Sequence, residues 1–142
     1  CNMIKNLSYN SKKINALLLE LAGRPFSFIE RLKLGGIGSN KLVIADASKE
    51  IVELLRLDNN VNYCNIEIRK NGLIIRFRSL LETYGLIIPY YKLIIYKGES
   101  NIYSLYKDTS YIKFFVDNKS TSLFMKKIIR LKTDYLNKTG LN

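Results

Sequence analysis

The sequence predicts an α+β fold, mainly antiparallel β: a sheet meander closed by a C-terminal amphipathic helix and preceded by a helical N-terminal segment. Three observations predict it. Between Tyr63 and Asp117 apolar residues recur mostly with the period of two that a half-buried strand requires, interrupted at turn pairs such as Asn71-Gly72 and Asp108-Thr109. Before and after that stretch the period is 3.6, the spacing of an amphipathic helix. The chain of 142 residues is 47% hydrophobic and 25% charged, which suits one globular domain able to bury a core.

At the N-terminal end, SKKINALLLELA (residues 11–22) sets Ile14, Leu17, Leu18 and Leu21 on one helical face, with Ser11 as cap and Gly23 and Pro25 as stop. A short second helix around Phe26–Leu34 would bring Phe28, Ile29 and Leu32 together. GGIGSN (35–40) then breaks the chain. Consecutive N–H groups in such a run can cradle an anion. Here Lys41 stands where a dinucleotide fingerprint wants its third Gly, and no Walker spacing exists, so a plain connection is the reading. Leu42–Ala45 reads as a strand. Ser48–Leu57 reads as a helix on the spacing of Ile51, Leu54 and Leu55, although EIVELLRL could also pair as a strand. Residues 1–45 thus form a helical segment packed on or flanking a β domain of residues 46–142.

In the first strand of the meander Cys64, Ile66 and Ile68 alternate with Asn65, Glu67 and Arg69. Asn71-Gly72 is the strongest two-residue hairpin signal, because both positions of that turn want φ > 0. Folding about it sets Ile68 opposite Ile75, Ile66 opposite Phe77 and Glu67 opposite Arg76. Strands then follow at Leu80–Ile88, interrupted by Pro89, at Tyr90–Lys97, Asn101–Lys107 and Ser110–Asp117. The triplet Leu-Ile-Ile occurs at 73–75, 86–88 and 93–95. Charges at Arg76, Arg78, Glu82, Lys92 and Lys97 leave no apolar run near the ~20 residues of a bilayer span, so the triplets are buried strand segments. After Asn118 a closing helix carries Phe124, Ile128, Leu131 and Tyr135 on one face. Lys119, Lys126 and Arg130 lie near the opposite, solvated side.

This order of elements over roughly residues 50–138 resembles the pleckstrin-homology-like barrel as it occurs in uncharacterised bacterial proteins. Lys70-x₅-Arg76-x-Arg78 is similar to the basic pattern with which lipid-binding members hold inositol phosphates. The resemblance therefore implies an anion- or lipid-binding role for Lys70, Arg76 and Arg78. The chain departs from the family in having no Trp in its closing helix, and in placing its basic hairpin after about sixty preceding residues.

Composition narrows the function classes. The formal net charge of +11 favours anionic partners: lipid headgroups, nucleic acid or acidic proteins. With no His for proton transfer near neutral pH and no Gly-x-Ser-x-Gly elbow, the reading is not an enzyme. Asp46, Glu50 and Glu53 as a helix-face cluster, and Glu82 within an apolar run, are weak carboxylate candidates. Two Cys in no CxxC spacing and no His give no metal site and no cofactor. The expected function is a non-catalytic binding or scaffolding module, with a protein partner first, an anionic membrane surface next and nucleic acid last. Tyr90 and Tyr91 are candidates for peptide or base contacts, and the face of residues 14–21 is a candidate interfacial helix. The expected location is the cytoplasm, at or near the inner membrane surface. Cys1 as a lipidated first residue is a minority reading.

Overall fold

The computed structural model describes residues 4–8, 12–57, 62–98 and 101–140; Cys1 and the proposed cap Ser11 lie outside them. The described residues include eight strands: β1 (Ile4–Asn6), β2 (Leu42–Ala47), β3 (Tyr63–Ile68), β4 (Gly72–Ser79), β5 (Glu82–Pro89), β6 (Ile94–Lys97), β7 (Ile102–Lys107) and β8 (Ser110–Phe115). They form one antiparallel sheet in the order β1-β5-β4-β3-β2-β8-β7-β6. Helices are α1 (Lys12–Ala22), α2 (Phe28–Leu34), α3 (Lys49–Leu55) and α4 (Lys119–Thr139). The α+β class, the antiparallel meander and the C-terminal helix are as the sequence predicts.

The sheet is open. No ladder joins β1 to β6 among the described residues, so closure into a barrel is absent here. One reason lies in β1, a strand the periodicity did not foresee: Ile4, Lys5 and Asn6 pair with Leu86, Gly85 and Tyr84 and so occupy the free edge of β5. Strand β2 joins the two halves of the sheet. Leu42 and Val43 pair with β3, and Ile44, Asp46 and Ala47 with β8, across an irregularity between Ile44 and Asp46. The N-terminal 45 residues therefore contribute strands as well as helices, and the division expected after residue 45 falls inside β2. Ser48–Leu57 resolves as helix α3, and Tyr90–Lys97 as a 3₁₀ turn (Tyr90–Lys92) followed by β6.

The first hairpin differs from its expected register by two residues. Ile68 pairs with Leu73, Ile66 with Ile75, Glu67 with Ile74 and Asn65 with Arg76. The turn centres on Lys70-Asn71, closed by Arg69 N–H donating to the Gly72 carbonyl at 2.8 Å. Neither Asn71 nor Gly72 has a positive φ. Gly72 is needed for close approach instead: a Cβ there would lie 2.5 Å from the Ile88 oxygen and 2.9 Å from Pro89 Cα. Because the slip is an even number, every side chain keeps its expected face.

Two layers cover the sheet. On the inner face Leu73, Ile75 and Phe77 of β4 meet Ile66 and Ile68 of β3, with Phe124, Met125 and Ile128 of α4 and Ile51 of α3 in the same buried cluster. On the outer face α1 lays Leu18 and Ala22 over Ile74 and Ile87, with Ile14, Leu17 and Leu21 partly buried beside them. Burial of these leucines is worth about 1.5–3 kcal/mol for each that is fully covered. Helix α1 is accordingly a packed element and does not offer its apolar face to an interface. Leu7, just after β1, packs on the same cluster and over Gly85; further along β4 and β5 the outer face opens into a cleft at Arg76, Arg78 and Thr83.

Candidate anion-binding groove

Alternation along β4 sends Arg76 and Arg78 to the outer face beyond α1, and alternation along β3 sends Tyr63 and Asn65 the same way. Lys41, just ahead of β2, places its ammonium 5.5 Å from the centre of the Tyr63 ring. These residues, with Thr83 and Leu80, line a cleft of about 520 Å³. Its lining includes three cations and no carboxylate among the described residues. Arg78 and Lys41 have no ion-pair partner within the described residues.

At one wall Glu67 ties down two arginines. Its two oxygens sit 2.5 Å from Arg76 Nη1 and 3.1 Å from Arg69 Nε. Burial pushes the Glu67 carboxyl up, but the hydrogen bond and charge of Arg76, joined by Arg69, outweigh it and hold the group below its ordinary value. One acid against two guanidiniums leaves the cluster cationic, and it fixes the Arg76 side chain at the rim. Beneath, Cys64 is 2% exposed, and burial pushes its thiol up to about 12, so it is a packed residue and not a nucleophile.

Lys70 does not join this site. It sits on the β3–β4 turn, beyond the Gly72 end of β4, and Arg76 lies about 13 Å along the strand from that end at ~3.3 Å per residue. On that turn it pairs with Glu30 of α2 at 3.5 Å. Glu30 also closes a capping box with Ser27, and the Ser27 backbone hydrogen bond, then its hydroxyl, hold that carboxyl below its ordinary value. The expected three-residue patch is therefore split: Arg76 and Arg78 are together and Lys70 is apart.

The tyrosine pair is also corrected. Tyr90 is fully buried, donates its hydroxyl to the Arg69 carbonyl at 2.7 Å and stacks at a tilt on Tyr135, so it presents no ring to a ligand. Burial raises its phenol pKa. Tyr91 is exposed, but it lies beside Pro89, which pairs with Gly72 at the end of β4 away from Arg78. Phe77 lines the groove but is buried, and the exposed aromatic there is Tyr63. Its outward place follows from the same alternation that buries Cys64, so the sequence held that signal; the approach of Lys41 from before β2 is a tertiary fact without one.

Other candidates resolve as follows. Phe28, Ile29 and Leu32 of α2 share a face, yet they are 65–75% exposed and not core. Lys119, Lys126 and Arg130 are exposed on α4 as expected. Asp46 lies in β2, away from a common helix face with Glu50 and Glu53 of α3. Glu82 is half-buried opposite Ser79 at the start of β5, and not inside an apolar run. Among the described residues no cluster of three metal-ligating side chains occurs, and no helix is long and apolar enough to cross a membrane. Compared with protein-family models, with curated proteins and with solved structures, the chain shows no match.

Proposed function

We propose that the chain is a non-catalytic binding module of pleckstrin-homology-like architecture that takes an anionic, phosphate-bearing surface in the groove of Lys41, Arg76 and Arg78. The observation that carries this reading is the convergence of three cations on one open cleft whose described lining holds no carboxylate. Guanidiniums present a planar fork that matches phosphate oxygens, and two of them on one strand face can engage neighbouring phosphates. The chain's charge of +11 adds a long-range attraction for such a partner. The absence of His, the inert thiol of Cys64 and the engagement of Glu67 by two arginines support binding without chemistry.

Tripolyphosphate titration followed by amide NMR tests the reading. Shifts should concentrate at Lys41, Tyr63, Asn65, Arg76 and Arg78, and Arg76→Glu combined with Arg78→Glu should abolish them. Shifts confined to other surfaces, or undiminished binding by the double variant, would overturn it. The exposed Tyr63 ring beside cations also suits a stacked base of a single-stranded nucleic acid; filter binding at two salt concentrations separates that case, which requires retention at low salt.

A further inference from the structure

The β4–β5 hairpin turns on two leucines. Ser79 pairs with Glu82, leaving Leu80-Leu81 as the turn. Leu80 has φ of 57°, in the left-handed region where a turn normally employs Gly, Asn or Asp. Both side chains face water: Leu80 is 55% and Leu81 is 87% exposed. Neither packing nor turn chemistry accounts for large apolar groups at this position.

The tip is continuous with the groove, because Leu80 lines the cleft beside Arg78. A second element reaches the same end of the molecule. The Ser79 hydroxyl donates to the Leu54 carbonyl of α3, and within three residues of that contact stand Arg56, which is exposed, and Leu57, which is 58% exposed. At the hairpin the exposed leucines form the turn itself, and Arg78 is set back from them on β4. Arg78 is two residues behind Leu80, about 7 Å along the strand. An apolar group lying in a bilayer interface enters the headgroup–acyl boundary by ~5–10 Å, so a cation set back by that order can stay among the headgroups. Glu82, the nearest acid in the hairpin, is opposite the buried Ser79 and thus on the face turned toward α3.

We propose that the Leu80-Leu81 turn is a membrane anchor, which enters the acyl boundary of an acidic bilayer while Arg78, Lys41 and Arg56 meet its headgroup phosphates. The headgroup contacts rest on the anion-binding reading of the groove; the exposed leucines add the choice of a lipid source of phosphate over a nucleic acid. Apolar insertion and electrostatic attraction together give reversible attachment, since each cation near an acidic leaflet contributes modestly and is screened by salt.

The test uses the full chain and exploits its lack of Trp. In Leu81→Trp the single indole should shift to the blue, and be quenched by brominated acyl chains, on vesicles of equal phosphatidylserine and phosphatidylcholine but not on phosphatidylcholine alone. Leu81→Ser should lower partition onto the acidic vesicles roughly tenfold, about 1.4 kcal/mol, with its tripolyphosphate affinity and melting temperature unchanged. Vesicle binding that leaves the indole unmoved, or that Leu81→Ser does not weaken, overturns the anchor. So does binding lost through Phe28→Ser with Leu32→Ser while Leu81→Ser still binds, which would assign attachment to α2. A wild type that binds tripolyphosphate or oligonucleotide but no acidic vesicle overturns the anchor and spares the groove. A Leu81→Trp chain that buries its indole in acidic vesicles, while the wild type ignores tripolyphosphate, overturns the groove and supports the tip.

Discussion

Arg76 and Glu67 meet at 2.5 Å although they are not register partners: Glu67 stands opposite Ile74, and Arg76 opposite Asn65. The contact is the diagonal one, within reach of long side chains on one sheet face. It leaves Arg76 held at the groove rim and partly compensated. Glu67→Gln should therefore strengthen tripolyphosphate binding by several-fold while costing about 1 kcal/mol of stability at pH 7. Calorimetric titration and urea denaturation measure the two effects; weaker anion binding in the variant would remove Glu67 as a restraint on the site.

The same carboxylate sets a pH dependence. Its folded pKa is depressed below the unfolded value of about 4.3. Its contribution is thus fully present above that value and is lost as pH falls through the lower folded one. The stability difference between wild type and Glu67→Gln should shrink toward zero between pH 5 and the acid limit of folding, in urea titrations at successive pH values. A difference that grows on acidification contradicts the depressed pKa.

Gly72 carries a steric prediction. An alanine Cβ would meet backbone atoms of Ile88 and Pro89, and Ala22 Cα at 3.2 Å, none of which is the free end of a flexible chain. Gly72→Ala should cost about 3 kcal/mol, at the upper end of overpacking. A loss below about 1 kcal/mol in urea denaturation would show that β5 and α1 can yield.

That glycine also shows how far the sequence was legible. Period-two alternation assigned Ile66, Ile68, Ile75 and Phe77 to the core face correctly, because burial of a face needs only parity. The register needed more: Asn71 donates its N–H to the Ala22 carbonyl at 2.9 Å, and its own carbonyl accepts from Tyr90 N–H at 2.9 Å. These partners come from α1 and from the end of β5, so no local pattern announces them. Strand β1 was missed for a similar reason, being three residues whose strand character comes from pairing with β5. At the site, Arg76 and Arg78 were legible as neighbours on one strand. Lys41 was not, and the spacing Lys70-x₅-Arg76 carries no sign of the pairing with Glu30 that holds Lys70 at the turn.

Cys64 is predicted to be silent in the folded chain. With the residue 2% exposed and its thiol raised to about 12, thiolate is scarce at neutral pH and reagent has little access. In a Cys1→Ser background, a chromogenic disulfide reagent at pH 8 should label Cys64 only on addition of denaturant. Labelling at the rate of free cysteine in native buffer would refute the packing described.

The split between Lys70 and the two arginines can be measured directly. Lys70 lies across the length of β4 from Arg78, and its charge is met by Glu30, so it contributes little field at the groove beyond a Debye length of about 8 Å at physiological salt. Arg78 is exposed at the cleft without an ion pair among the described residues. Reversing each charge should separate a site from a mere excess of positive charge, since both substitutions change the net charge equally. Arg78→Glu should reduce tripolyphosphate affinity at least tenfold at physiological salt, about 1.4 kcal/mol. Lys70→Glu should leave it within twofold. Equal losses for the two would mean that the ligand senses overall charge, and the groove would lose its claim to be a site.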